Sequence, residues 1–586
     1  MTRTRILILL GCIVIVRTAG AQPYHNYGQA CSLLARLAAD HPGIARYDTL
    51  GNSAGGRPIP RLTVTVAPNL LNARPVVRLI GAHHGDEKIG TEVVLALARR
   101  LCEEYESDSL IRALVDARHF VLLPVFNPDG HVRNRQQNDA GVDLDQDHGY
   151  EWERYSPAFS QPETRALRVA SLARPPAVEL IFHAGDSVIQ YAWNNHPAGP
   201  PDSIWLAALA RRYADSTYGS PTTQLDPVRG YSSGGKHGSC SDCTYGLFGG
   251  LSWTVETAQP DSQAQADSVC AANGRAALDF ARLAGWGIAG RVRDSLTGSP
   301  LAATVMLSSP RRWTCWSGVE SGDFHRPLPA GTYGITILCN GYLPRSISGV
   351  VVPDTGMTYL EVQLTPRPSQ SVYYALRLAA VRRNDFYHAD RTWAIDALGL
   401  PDGRYYDLGD GVSNVVLDLD PPVRDVNGDD ITVRGSGNYE LSFGYTPFGP
   451  FWSLGEGSGT TGFDIADYLE DSLRFFRLSG SVTGASIECI DYTGDPVTGV
   501  AEFAACLRPS ESRIPTICRG VLFLPETTGL KARVSGLLDA AGRRVSDLHA
   551  GANDVSRLVP GVYFISRPSA AGYRAAAAVT RVVVTR

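Results

Sequence analysis

The sequence predicts a multidomain protein: an α/β catalytic domain with a mixed, largely parallel sheet, followed by all-β sandwich domains. Three observations carry that expectation. The chain has 586 residues, more than one hydrophobic core organises, and its 44% apolar content suits folded domains throughout. Between residues 22 and 285, short aliphatic runs at 62–67, 76–82, 120–125 and 178–182 alternate with stretches of helical spacing such as 91–105. Buried parallel strands separated by helices read this way. After Trp286 the texture changes to short alternating runs and turns, Thr297-Gly298 and Pro329-Ala330-Gly331 among them, a pattern of sandwich size.

The segments follow in order. Arg3 and Arg5 precede an apolar run at 6–16 that exits through Ala19-Gly20-Ala21, so residues 1–21 read as a secretory signal peptide. The run is about half the ~20 residues needed to cross a bilayer. Leu9-Leu10-Gly11-Cys12 offers a lipoprotein signal as the alternative, with a short core before it. The mature chain is thus expected to lack a transmembrane segment and to be secreted or held at a bacterial cell surface. Residues 22–285 form the catalytic domain, 286–366 a first β-sandwich, 367–505 a second, and 506–586 a terminal β unit. In the second sandwich, 414–419, 439–443 and 475–478 read as strands.

A net charge of −5 without Lys/Arg runs gives no electrostatic case for nucleic acid. Of eleven cysteines, ten remain after signal cleavage, an even number compatible with disulfides outside the cell. Cys240-Ser241-Asp242-Cys243 has no second CxxC to complete a zinc ribbon. It reads as a local disulfide or as two free thiols. Asp425-Val426-Asn427-Gly428-Asp429-Asp430 has part of a calcium loop's acids but not its remaining ligands, and reads as a polar turn.

The chemistry is concentrated in a few strand ends. The run at 76–82 leads directly into His83-His84-Gly85-Asp86-Glu87. His84 and Glu87 stand three apart, so on a helical turn an imidazole and a carboxylate face the same way. Catalytic zinc sites use three protein ligands and leave one position open, commonly as two His and one Glu. Val178-Glu179-Leu180-Ile181-Phe182-His183 supplies a second imidazole at another strand end. Leu251-Ser252-Trp253-Thr254-Val255-Glu256 ends a further strand in a carboxylate. His83 is the competing neighbour, but the three-residue step to Glu87 selects His84. His131, His148, His196 and His237 read as ordinary polar histidines.

With HGDE at 84–87, NPDG at 127–130, GVDL at 141–144, and the strands ending in His183 and Glu256, residues 22–285 resemble the zinc carboxypeptidase family that includes carboxypeptidases A and D. That resemblance implies one zinc ion per chain held by His84, Glu87 and His183, with Glu256 as the general base acting on zinc-activated water. It implies an arginine for the oxyanion between NPDG and GVDL, where Arg135 fits and Arg133 is the alternative. Asp143 would orient a zinc-binding imidazole. Tyr231, before Ser232-Ser233-Gly234-Gly235, would flank the substrate, while Tyr245 reads as structural. Ser241 would lie in the specificity pocket by the register Asp242 sets, a register that conflicts with the one placing Tyr231.

One departure bears on substrate. The family follows Val-Asp-Leu with Asn-Arg, whose arginine clasps the substrate's terminal carboxylate, and this chain has Asp145-Gln146 there. Three readings follow: another basic residue substitutes, the substrate lacks a free α-carboxylate, or the protein has become a non-catalytic cell-surface binder. The expected function is a secreted zinc metallopeptidase cutting peptides or proteins at C-termini. The alternatives are a zinc amidase or endopeptidase of the same fold, acting on cell-wall peptides or other substrates, and that binder.

Gly287-Ile288-Ala289-Gly290-Arg291-Val292 and Ala330-Gly331-Thr332-Tyr333 resemble the carboxypeptidase regulatory-like, transthyretin-type sandwich. Residues 367–505 resemble a discoidin-type jelly roll. Leu558-Val559-Pro560-Gly561-Val562-Tyr563-Phe564 and the terminal run resemble a type IX C-terminal sorting domain. That last likeness implies a Gram-negative source and an outer-membrane secretion machinery as partner.

Overall fold

The computed structural model describes residues 24–494 apart from 69–72, 151–156, 219–222, 311, 368–371, 383–392, 409–412 and 466–471, and a set of strands between 516 and 584. The expected signal peptide lies outside the described residues. The chain divides into two compact units, Met1–Phe503 and Ala504–Arg586.

The first part of the larger unit is an eight-stranded mixed sheet flanked by helices. Its elements are α1 (Tyr27–Asp40), β1 (Ala45–Asn52), β2 (Pro58–Val64), β3 (Val76–Gly81), α2 (Lys88–Glu103), α3 (Ser109–Ala117), β4 (His119–Leu123), α4 (Pro128–Arg133), α5 (Pro162–Ala173), β5 (Pro176–Ala184), β6 (Val188–Tyr191), α6 (Ser203–Thr217), β7 (Asp226–Arg229), α7 (Cys240–Phe248), β8 (Leu251–Thr257) and α8 (Gln263–Leu283). Strand order is β1-β2-β4-β3-β5-β8-β6-β7. The central four, β4, β3, β5 and β8, run parallel. The pairs β1–β2, β2–β4 and β6–β8 are antiparallel.

The sequence explains the local choices. Every residue of β3 and of β8 is buried, because helices cover both faces of a parallel sheet and no polar alternation is needed. Helix α2 buries Ile89, Val93, Val94, Leu97, Ala98 and Leu101, a stripe at three- and four-residue spacing. Asn26 and Gln29 form a capping box at α1, and the Asp108 side chain accepts from Leu110 N and Ile111 N at α3. β5 lies between β3 and β8, so three parallel strand ends open side by side onto one crevice, where α/β sheets place their sites.

All-β structure follows. Strands β9 (Gly287–Asp294), β10 (Thr304–Ser309), β11 (Cys315–Trp316), β12 (Asp323–Arg326), β13 (Gly331–Leu338), β14 (Arg345–Val352) and β15 (Met357–Leu364) make a three-stranded sheet, β12-β9-β15, and a four-stranded sheet, β11-β10-β13-β14. Ile288, Val292, Val305, Ile335, Ile337 and Val362 share one core between them. One pairing, β9 with β15, is parallel rather than antiparallel. Next comes an antiparallel sheet organised around the long strand Ser472–Thr493, which pairs with Asn414–Arg424 on one side and Ile431–Gly444 on the other. Asp430 accepts from Val426 N within its own turn and from Ile465 N of a distant segment. In the smaller unit, Gly561–Ser566 pairs antiparallel with Val579–Val584 and with Ser535–Leu538.

Within the larger unit a buried carboxylate ties the sheets of 287–364 to the catalytic part. Asp202 pairs with Arg326 of β12, accepts from Tyr245 Oη at 2.7 Å and from Trp313 N at 3.2 Å. Trp193 completes the junction, stacked on Tyr150 at 4.7 Å and edge-on to Trp313 at 5.2 Å. Tyr245 is therefore structural.

The eight described cysteines are free thiols, so no disulfide joins them. Disulfides, with which an even count outside the cell is compatible, do not form among these residues, and of the two readings of Cys240 and Cys243 the free thiols hold. Cys102, Cys315 and Cys489 are buried on different elements as small apolar groups, and Cys240 and Cys243 are buried together on α7 as two thiols.

Candidate active site

The turn after β3 is shaped by close backbone approach. A Cβ on Gly85 would stand 1.9 Å from the Gly130 carbonyl carbon, so glycine is required where this turn crosses the start of α4. NPDG is the clamp that holds that crossing. Asn127 Oδ1 caps α4 by accepting from Gly130 N at 2.8 Å, and its Nδ2 donates to His83 O and Gln136 O at 3.1 and 2.9 Å. Asp129 is buried and accepts from Ser53 Oγ at 2.7 Å and from Arg57 Nη1 at 2.6 Å. The motif thus positions the backbone on which the chemistry is mounted.

That geometry presents three donors together. His84 Nδ1 lies 2.8 Å from Glu87 Oε1, and His183 Nδ1 lies 2.9 Å from Glu87 Oε2. Ligand atoms of His84, Glu87 and His183 fall within 4.8 Å of one another, although the residues come from two strand ends far apart in sequence. His84 Nε2 lies 3.1 Å from Asp143 Oδ1; a proton held there by the carboxylate leaves Nδ1, beside Glu87, as the nitrogen that would face a metal ion. Two neutral nitrogens and one carboxylate, with the second carboxylate of Asp143 behind them, are the donor set of catalytic zinc. The residues present fit such an ion.

Glu256 stands beside this cluster. β5 and β8 are parallel with His183 directly opposite Glu256, so register alone carries the carboxylate next to the second imidazole. Burial pushes the Glu256 carboxyl above its usual range, against the pull of His183 and Lys236. Without metal, His84 is pushed up to about 10: burial works against the charged form, but hydrogen bonds to Asp143 and Glu87 outweigh it. Burial likewise opposes ionisation of Glu87, yet His183 and His84 hold its carboxyl well below the usual range.

The remaining sequence candidates divide. Asp143 is a hub: besides His84 it accepts from Gln136 Nε2 at 2.9 Å, Gln146 Nε2 at 2.8 Å and Asp145 N at 3.0 Å. Asp145 is buried, with Oδ1 accepting from Cys240 N at 3.2 Å. Arg135 does not take the expected place. Its guanidinium donates to Gln137 O at 3.2 Å, to Asn138 O and to Asp139 Oδ1 at 3.1 Å, and Arg133 Nε grips the same Asp139 at 2.6 Å. Asp139 draws both arginines outward, and Gln136, their neighbour, turns inward to within 3.4 Å of His84 Nε2. Tyr231 sits on a 3-10 turn, Gly230–Ser233, half-buried, with the Arg229 guanidinium 5.9 Å from its ring centroid. Ser241 is buried and accepts from Asn194 Nδ2 at 2.9 Å.

Lys236 was not anticipated. Its Nζ lies 3.5 Å from Asp145 Oδ2 and 3.7 Å from Glu256 Oε1. The available signal was a lone lysine directly after Gly234-Gly235 in a loop of small residues.

An imidazole pair and a carboxylate at the carboxyl ends of parallel strands, with another carboxylate opposite, define a metallohydrolase site. Comparison with known proteins agrees: residues 30–265 match the model of the zinc carboxypeptidase family (peptidase M14). Among relatives, carboxypeptidase D of Mus musculus is 28% identical over 400 residues, covering 58% of this chain and 29% of that protein. Carboxypeptidase E of Caenorhabditis elegans is 28% identical over 389 residues, covering 54% of this chain and 81% of that protein. The chain therefore spans less than a third of the carboxypeptidase D relative. Among solved structures, carboxypeptidase A of Helicoverpa armigera overlays with a TM-score of 0.39 at 22% identity, covering 44% of this chain and 74% of that one.

Proposed function

We infer that the protein is an exported zinc metallopeptidase that releases residues from the C-termini of peptides. The observation that carries this reading is the convergence of His84 Nδ1, Glu87 and His183 Nδ1, with Glu256 in register beside His183. Zinc, when bound, polarises a scissile carbonyl and brings the pKa of water towards about 7. His84, Glu87 and His183 hold the ion, and Asp143 keeps His84 in the coordinating tautomer.

Glu256 takes a proton from water and returns it to the departing amine. Its raised pKa suits that task, because a carboxylate in its usual range is a weak base towards water, and the upward direction strengthens it as the proton acceptor. With Arg133 and Arg135 engaged by Asp139, stabilisation of the oxyanion falls to other groups of the site. Tyr231 lies in the loop leading to Lys236 and supports a role at the substrate's edge.

Export is supported by the sequence at 1–21 and by the sorting-domain likeness at 506–586, which together point to passage across a bacterial outer membrane. The regulatory-like likeness of 286–366 fits a stabilising companion of the catalytic part, and the jelly-roll likeness of 367–505 fits surface or glycan attachment. A second reading, an amidase or endopeptidase, is favoured by one observation: Asp145-Gln146 stands where a carboxylate-clasping pair is expected.

The test is hydrolysis of a peptide panel with free and amidated C-termini, with and without chelator, followed by mass spectrometry of products. Chelator-sensitive loss of terminal residues is expected, with one zinc per chain that a His183→Ala variant lacks. Internal cleavage supports the second reading. Zinc-free protein, or cleavage indifferent to chelator, overturns both.

A further inference from the structure

The substitution of Asp145-Gln146 leaves the substrate pocket without its expected arginine, and neither residue can take that cation's place. The Gln146 amide is committed to Asp143 Oδ2 at 2.8 Å. Asp145 carries the wrong sign. It is a buried carboxylate whose Oδ2 already faces the Lys236 ammonium at 3.5 Å.

A cation arrives from a different segment. Lys236 places its ammonium between Asp145 Oδ2, at 3.5 Å, and Glu256 Oε1, at 3.7 Å. Both separations exceed the ~2.7–3.2 Å of a direct hydrogen bond. An ammonium has three donors, and here it is attracted by two carboxylates without being saturated by either. The side chain is 35% exposed, so the charge is reachable from the solvent side of the crevice.

The loop that carries Lys236 is fastened to the substituted turn. Gly238 has a φ of 63° and packs so closely that a Cβ there would lie 2.7 Å from Gln146 O. Gly238 O accepts from His148 N at 3.0 Å. The lysine therefore stands beside the 145–146 turn because its backbone is locked there, with Asp145 as tether.

Resting on the carboxypeptidase reading, we propose that Lys236 is the specificity residue of this site, binding the free α-carboxylate of the peptide in place of the missing arginine. Asp145 steers the ammonium, and an arriving carboxylate draws it off Glu256, which frees the base as substrate binds. Lysine offers a point charge instead of a bidentate fork. Preference for a free C-terminus is accordingly real but looser than a guanidinium pair gives.

The experiment uses the full-length zinc-loaded protein with one peptide in two forms, free acid and C-terminal amide. KM and kcat are measured for the wild type, Lys236→Gln and Lys236→Arg, alongside zinc content. Wild type favours the acid. Lys236→Gln raises KM for the acid by about 30-fold, the equivalent of losing ~2 kcal/mol from one charged partner, and brings the acid-to-amide ratio near one. Its zinc content is unchanged, and Lys236→Arg restores the preference.

Three results overturn the proposal: a wild type indifferent to the two forms, a Lys236→Gln variant with wild-type discrimination, or one whose kcat falls equally for both. The last would assign Lys236 to the oxyanion or to Glu256. If the wild type cleaves neither peptide, the peptidase reading fails separately. Calorimetry with the same pair, bearing a ketomethylene unit in place of the scissile amide, then reads carboxylate binding directly. A Lys236-dependent preference for the acid supports the proposal, and equal affinity sinks it.

Discussion

Replacing Asp143 is the sharpest test of how this site is organised, because Asp143 contacts the metal-site imidazole without being one of the three converging ligands. Its two oxygens have different duties. Oδ1 accepts from His84 Nε2 at 3.1 Å and from Asp145 N at 3.0 Å, while Oδ2 accepts from Gln136 Nε2 and Gln146 Nε2 at 2.9 and 2.8 Å. In Asp143→Asn the new amide group cannot satisfy both sides. With oxygen towards His84, its NH2 meets two amide donors; with the amide reversed, it meets the His84 N–H. The negative charge that strengthens His84 as a donor is lost in either case. Loss of such an outer partner costs about 10–100-fold in metal affinity, or ~1.4–2.8 kcal/mol at 1.4 kcal/mol per decade. Competition against a chromophoric chelator at fixed pH measures this. Zinc affinity within about twofold of wild type in Asp143→Asn and Asp143→Ala would refute the orientation argument. The fold should survive, since Asp143 lies in a surface-reaching turn, and circular dichroism checks it.

Further expectations concern the base, protons and packing. Glu256→Gln should lower kcat by about 10²–10⁴-fold, the usual contribution of a general base, while zinc content stays at wild type; loss of zinc would make Glu256 a ligand instead. In the metal-free protein His84 is raised from 6.5 to about 10, so its pairing with Asp143 and Glu87 stabilises the apo fold fully below about pH 6.5 and is lost as pH rises through about 10. Zinc must displace that proton, so affinity should climb about tenfold per pH unit between roughly 7 and 9, with proton release visible by calorimetry in buffers of different ionisation enthalpy. A pH-independent affinity contradicts this. Asp202→Ala strands Arg326, which is 1% exposed, and should destabilise the larger unit by about 3–5 kcal/mol in denaturant titration. A change under ~1 kcal/mol would mean the junction relaxes around the charge.

The amino-acid sequence by itself determined the sheet and the strand ends. Short runs rich in aliphatic and aromatic residues, such as 76–81 and 251–255, favour buried strands despite Arg78, Ser252 and Thr254, and a three-residue step from His84 to Glu87 needs only a helical turn to align the pair. Glu256 was legible for the same reason, since a carboxylate ending an apolar strand has nowhere to go but the mouth of the crevice. Tertiary structure decided where the long charged side chains point. Arg135 lies within eight residues of Asp143, yet Asp139 captures it, and Gln136 turns in instead. Lys236 enters from a glycine-rich loop because Gly238 packs on Gln146 O and because Asp145 and Glu256, distant in sequence, supply its counter-charges. The physical reason is common to both. A strand's direction is set by neighbours one or two residues away, whereas a flexible cation settles wherever the assembled fold places the nearest carboxylates.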